Sequence, residues 1–196
     1  MITLMSTYQD RLKSEELANM AEGVPHPSGA KFVGAEKCGE CHSDAFDVWK
    51  NSKHAHAFES LDPQNELTGH ERLKGINRSF DPECISCHVT GWDPKQYYRF
   101  QSGFINEEYA ATDELKQAFT ALRGTQCENC HGPGSLHIEL IDNEESKETP
   151  GPGRKSVRVT VDQARDRTCN TCHDLDNSPK FDFDTYWPQV KHGLDE

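Results

Sequence analysis

Four copies of one pentapeptide, C-x-x-C-H, use up every cysteine in this chain. They are Cys38-Gly39-Glu40-Cys41-His42, Cys84-Ile85-Ser86-Cys87-His88, Cys127-Glu128-Asn129-Cys130-His131 and Cys169-Asn170-Thr171-Cys172-His173. Their first cysteines stand 46, 43 and 42 residues apart, so most of the chain must fold around whatever the pentapeptides hold. Thiols at this spacing, with a histidine directly after, suit one porphyrin. The two thiols form thioethers to its vinyl groups, and the histidine reaches its iron as proximal ligand. The sequence therefore implies four covalent haems c, attached at Cys38 and Cys41, Cys84 and Cys87, Cys127 and Cys130, and Cys169 and Cys172. The proximal ligands are His42, His88, His131 and His173.

Zinc also takes thiolates in C-x-x-C pairs, but zinc does not explain the histidines. With 10 histidines in 196 residues, chance would put one after all four pairs on the order of once in 10^5 trials. Thioredoxin-like motifs and plain disulfides fail on the same ground.

Leu, Ile, Val and Phe make up about 18% of the chain, and the formal net charge is −12. That combination belongs to chains too poor in apolar surface to fold. Four porphyrins would supply the missing core, with about 49 residues for each. The haem-free polypeptide is accordingly not expected to fold. The expected class is mainly α with little regular secondary structure, built around a haem-packed core.

No stretch approaches the roughly 18 apolar residues that cross a membrane. Met1 to Met20 is interrupted by Asp10, Arg11, Lys13, Glu15 and Glu16, with no signal-peptide apolar region. Covalent attachment to C-x-x-C-H is normally completed outside the cytoplasm, so a periplasmic or other extracytoplasmic location is expected, with this chain a mature form or a segment. Residues 1–30 read as an N-terminal arm, largely solvated, with a short amphipathic helix possible over 11–21. Residues 31–196 read as one haem-packing domain, since the segments between pentapeptides share little.

Within that domain Thr112 can cap a helix running to about Leu122, and Thr160 a second one leading into the fourth pentapeptide. A helical stretch over 43–58 should break near Asn51-Ser52, and Tyr97 to Phe104 suits a short strand or hairpin. Residues 142–156 are polar and rich in Gly and Pro, the expected mobile loop.

The sixth position of each iron decides its chemistry: histidine there gives a low-potential carrier, and a vacancy a reaction site. Met1, Met5 and Met20 all lie in the arm, which leaves methionine ligation unexpected. The remaining histidines are His26, His54, His56, His70, His137 and His192. His54 lies beside Ala55 and Ala57, small residues that let a porphyrin approach the backbone. His137 follows the tight reversal Gly132-Pro133-Gly134. Trp187-Pro188 could start a turn that presents His192. His26 and His70 lie in Pro- or Gly-flanked or charged loops, and His56 would point away from His54 on a helix.

At these residues the chain resembles the tetrahaem cytochrome c-554 family, electron acceptors of hydroxylamine oxidoreductase. The resemblance runs from about Lys37 to the C-terminus. It rests on the first pentapeptide followed by Trp49-Lys50 and His54-Ala55-x-Ala57, on the second followed by Val89-x-Gly91, and on Cys127-Glu128-x-Cys130-His131-Gly132-Pro133-Gly134. The resemblance implies stacked haem pairs and crossed ligation. His137 would cap the iron bound by His42, His192 that bound by His131, and His54 that bound by His173. The iron bound by His88 would be five-coordinate, beneath the Ser178-Pro179 to Phe181 segment. A histidine at position 56 departs from the family, and His26, His56 and His70 are further distal candidates for that iron.

The expected function is electron transfer between stacked haems and redox partner proteins, an oxidoreductase donor and a downstream cytochrome or quinone-linked acceptor. No catalytic residue is assigned. The alternatives are a haem enzyme acting on nitric oxide or another small nitrogen compound at the second iron, or one unit of a larger multihaem assembly. A strongly acidic chain repels nucleic acid and favours basic docking patches.

Overall fold

The pentapeptides coil locally because a helical turn puts residues three and four apart on one side. Cys38, Cys41 and His42 then share a face, and His42 N–H closes the turn on the Cys38 carbonyl at 3.0 Å. The same bond joins His173 to Cys169 at 2.9 Å. In the computed structural model, residues 2–15, 23–65, 75–109, 112–143 and 151–193 are described. Their helices are α1 (Ile2–Ser14), α2 (Ala35–Gly39), α3 (Ser43–Lys50), α4 (Pro82–His88), α5 (Asp113–Thr120), α6 (Cys127–His131), α7 (Ser135–Asp142), α8 (Pro152–Ser156), α9 (Val161–Gln163) and α10 (Phe183–Tyr186). The first three pentapeptides lie on or just beyond α2, α4 and α6. The fourth ends a helical run from α9 through a π-turn over Ala164–Thr168 and a 3-10 turn over Cys169–Thr171.

Side-chain caps explain where several helices begin. Asp81 accepts from the Glu83 N–H at 3.1 Å, with Pro82 in the first turn of α4. Thr160 and Gln163 bond each other's backbone N–H groups at α9. Thr112 Oγ1 caps α5 at Leu115, as its sequence position predicts. The predicted break after α3 also appears: Asn51 through Phe58 run as turns into a 3-10 turn over Glu59–Leu61.

Among the described residues strand is confined to a two-stranded antiparallel hairpin, β1 (Trp92–Asp93) and β2 (Tyr98–Arg99). The class is therefore mainly α with little regular structure. A core of Phe58, Leu61, Ile85, Val89, Trp92, Phe104 and Leu122 sits between α4 and the hairpin. Its backbones pass unusually close. Gly91 has φ of +88°, and a Cβ there would stand 2.3 Å from Gly103 Cα. Only glycine fits that crossing.

The N-terminal residues differ from the solvated arm their charge suggests. A helix occupies Ile2–Ser14, with 16–21 of the expected span outside the described residues, and it packs: Leu12 and Gln9 are buried. Gln9 Nε2 donates to Asp81 Oδ2 at 2.6 Å, and Tyr109 Oη–H to the Lys13 carbonyl at 2.7 Å. Val24 N–H and C=O bond Arg99 and Gln101, which joins it to the hairpin. Of the expected loop at 142–156, Asp142 ends α7, Pro152–Ser156 form α8 with Gly153 buried, and 144–150 lie outside the described residues. Among the described residues no helix is long and apolar enough to cross a membrane.

Candidate metal centres

The histidine of one pentapeptide repeatedly meets a histidine from a distant segment. The His42 and His137 rings lie 6.2 Å apart, centroid to centroid, tilted by 29°. His131 and His192 are 5.9 Å apart at 48°, and His173 and His54 are 6.0 Å apart at 41°. An imidazole nitrogen sits about 2 Å from the metal it binds, so two rings gripping one metal from opposite sides have centroids about 6 Å apart. All three pairs have the spacing that a shared iron requires.

The tautomers agree. A carbonyl only accepts, so a ring nitrogen bonded to one carries the proton, and its lone pair is left on the other nitrogen. His131 Nδ1–H donates to the Val157 carbonyl and His137 Nδ1–H to that of Gly153, both at 2.7 Å. His192 donates to Val190 at 2.8 Å and His88 to Ala57 at 2.6 Å. Each thus holds Nε2 ready for a metal. Burial pushes the His54 imidazole down to about 4 and also lowers His131 and His173, which favours the neutral, ligating form.

Each distal segment is held by identifiable bonds. Thr125 N–H donates to the His54 carbonyl at 3.0 Å, Trp49 Nε1–H to the Thr125 carbonyl at 2.9 Å, and Thr125 Oγ1–H to that of Cys87 at 2.8 Å. Gly124, with φ of +85°, lets this strap approach: a Cβ would meet the Ala55 carbonyl oxygen at 2.7 Å. The chain leading to His192 is anchored by Arg165, which bonds Asp184 at 2.8 Å and lies over the Phe183 ring. His137 sits on α7 between Leu136 and Leu140, 39% and 37% exposed. A porphyrin at the His42–His137 pair would find apolar cover there.

The thiols adjoin one another across motifs. Cys38 neighbours Cys127, and the interaction between the two thiols raises Cys38 above its ordinary value and lowers Cys127. Cys172 stands in the same relation to Cys87. Charge on Cys169 acts on Cys130. Among the described residues no three His, Cys, Asp or Glu side chains gather as a metal cluster.

The other histidines stand apart from these pairs. His26 is wedged against Phe32 and Phe100, and its Nδ1 accepts the Ser28 N–H at 3.2 Å, the reverse polarity of the paired rings. His56 is exposed on a turn. His70, a candidate for the second iron, lies outside the described residues. The Ser178–Phe181 segment, which the family resemblance puts over the second iron, lies against the fourth motif. Ser178 Oγ bonds His173 Nδ1 at 2.9 Å, and the Phe181 ring stacks on His173 at 4.4 Å and 12°. The reason is local: the Asp174 carboxylate accepts from Asp176 and Asn177 N–H and turns the chain straight back. His88 lies near Ser60, 3.1 Å from its Oγ.

Sequence reasoning did not find the carbonyls of Val157 and Gly153, which orient two of the paired rings. A carbonyl has no residue-type signature, and the Gly151-Pro152-Gly153 run read as part of a mobile loop.

A family model described as cytochrome c554 and c-prime matches residues 37–132. The curated cytochrome c-554 of Nitrosomonas europaea is 26% identical over 191 residues, 91% of this chain and 75% of that protein. A solved structure of reduced cytochrome c554 from Nitrosomonas europaea is similar with a TM-score of 0.52 at 24% identity, covering 83% of this chain and 84% of that one. That likeness concerns the fold.

Proposed function

We propose that the chain is a member of the cytochrome c554 family of c-type haem proteins, to which it is similar, and that it is an extracytoplasmic electron carrier with four haems c rather than an enzyme. Haem c, when bound, supplies one-electron iron chemistry, and the protein's part is to hold ligands, surroundings and spacing. Cys38 and Cys41, Cys84 and Cys87, Cys127 and Cys130, and Cys169 and Cys172 would anchor the four groups. His42 with His137, His131 with His192 and His173 with His54 would hold three irons, and His88 the fourth.

The three crossed ring pairs, at 5.9 to 6.2 Å, carry this reading. Two filled axial positions leave no site for substrate, which suits a carrier. Cys38 adjoins Cys127 and Cys172 adjoins Cys87, while charge on Cys169 and on Cys130 reaches across between the third and fourth motifs. These neighbours support the order first, third, fourth, second for the attachment sites.

Donor and acceptor are expected to be redox proteins, an oxidoreductase upstream and a cytochrome or quinone-linked acceptor downstream. A charge of −12, deepened by haem propionates, favours basic docking faces. Reductive titration of the holoprotein is expected to take up four electrons per chain. In rapid mixing the reduced protein should pass them to a basic cytochrome at a rate that falls steeply between low salt and about 0.15 M. Fewer than four electrons would overturn the haem count, and a salt-independent rate the acidic docking.

A further inference from the structure

The third pentapeptide contains a buried glutamate that covalent haem attachment does not need. Glu128 is 4% exposed, and its carboxylate is surrounded by backbone N–H groups. Val33 N–H donates at 2.9 Å to Oε1 and 3.1 Å to Oε2, Gly34 N–H at 2.8 Å to Oε2, and Gly134 N–H at 2.7 Å to Oε1. The donors come from two separate places. Val33 and Gly34 lead into α2, which carries Cys38 and runs on to His42. Gly134 immediately precedes α7, which carries His137.

The two backbones that Glu128 gathers also touch directly. Ser135 N–H donates to the Lys31 carbonyl at 3.2 Å, and Lys31 N–H donates to Ser135 Oγ at 2.8 Å. Gly134 has no room to spare: a Cβ there would stand 3.1 Å from Val33 Cγ2 and 3.3 Å from Glu128 Oε1. The side chain just before the motif completes the anchorage. Gln126 Oε1 accepts the Ala35 N–H at 2.6 Å, while its Nε2 donates to the Ala121 and Arg123 carbonyls.

We propose that Glu128, a residue of the third haem motif, is the positioning residue that sets the His42–His137 pair on the first iron. The carboxylate bonds both of the segments bearing those two rings. Charge-assisted bonds from N–H groups are about twice as strong as neutral ones, so a single anion can hold two chain segments in fixed relation. The clamp also places α6, and hence Cys127, beside Cys38. One side chain therefore sets both the axial geometry of the first site and its contact with the third.

The inference rests on the ligand reading above, and the test separates the two. In holoprotein, the low-temperature EPR line that His137→Gly abolishes identifies the first iron. Glu128→Gln keeps the volume but turns an amide NH2 toward N–H donors. It is expected to shift that line and raise that iron's potential, with the lines of the other two pairs unmoved. Glu128→Asp keeps the charge but falls one methylene short, and should move the same line less while speeding amide exchange at Gly34 and Gly134. If Glu128→Gln does not mature, Glu128→Asp alone decides. A native EPR line together with faster exchange at Gly34 and Gly134 overturns the proposal and leaves Glu128 a stabiliser of the fold. If His137→Gly removes no line, the ligand pair itself is wrong and the proposal falls with it.

Discussion

Changing all eight cysteines to serine is expected to leave a chain with no cooperative unfolding transition by calorimetry or circular dichroism. The protein offers little to replace the lost haems. Its buried apolar cluster centres on seven side chains, Phe58 to Leu122, for a chain of 196 residues. Outside that cluster, Leu115, Leu136, Leu140 and Leu175 are exposed, and the helices bearing the pentapeptides are five to seven residues long or end in 3-10 turns. Helices so short are not stable alone. Ordering each residue costs about 1–2 kcal/mol of backbone entropy, and porphyrin burial is the term that offsets it here. A sharp, denaturant-sensitive transition in the cysteine-free chain would show that the polypeptide folds by itself.

Replacing His54 with glycine is expected to convert one low-spin ferric iron to high-spin and open it to cyanide. His54 faces His173 at 6.0 Å, and its removal leaves that iron with one protein ligand. The fold should survive, because the strap is held through the His54 carbonyl, which accepts the Thr125 N–H, and glycine keeps that carbonyl. The added backbone freedom costs only about 0.5–1 kcal/mol. Near-infrared magnetic circular dichroism should show the bis-imidazole band reduced by about a third. An unchanged band would mean that His54 does not ligate iron, and would bring the exposed His56 forward.

Much of this was legible before any coordinates, for physical reasons that differ by residue. Covalent attachment demands fixed residue types at fixed spacing, so the eight cysteines and His42, His88, His131 and His173 stand out. The Thr112 and Thr160 caps were legible because capping is a local bond between near neighbours. The partner of each motif histidine is a long-range matter. His54, His137 and His192 could be assigned to individual irons only through family resemblance, since nothing in spacing says that position 54 meets position 173. The N-terminal helix was misread because its sparse apolar residues suggest a solvated arm. Its docking rests on Gln9 reaching Asp81 and on Tyr109 reaching the Lys13 carbonyl, polar bonds between segments far apart in sequence. Glu128 was hidden in the same way. A glutamate in a short motif looks like surface charge until Val33, Gly34 and Gly134 are seen converging on it.

Crossed ligation is the centre of this account, and low-temperature EPR of the fully oxidised holoprotein, integrated per chain, tests it most directly. Four ferric irons are expected, with at least three low-spin signals of the bis-imidazole type, from His42–His137, His131–His192 and His173–His54. Fewer than three such signals, or a low-spin iron with the optical signature of methionine ligation, would contradict it.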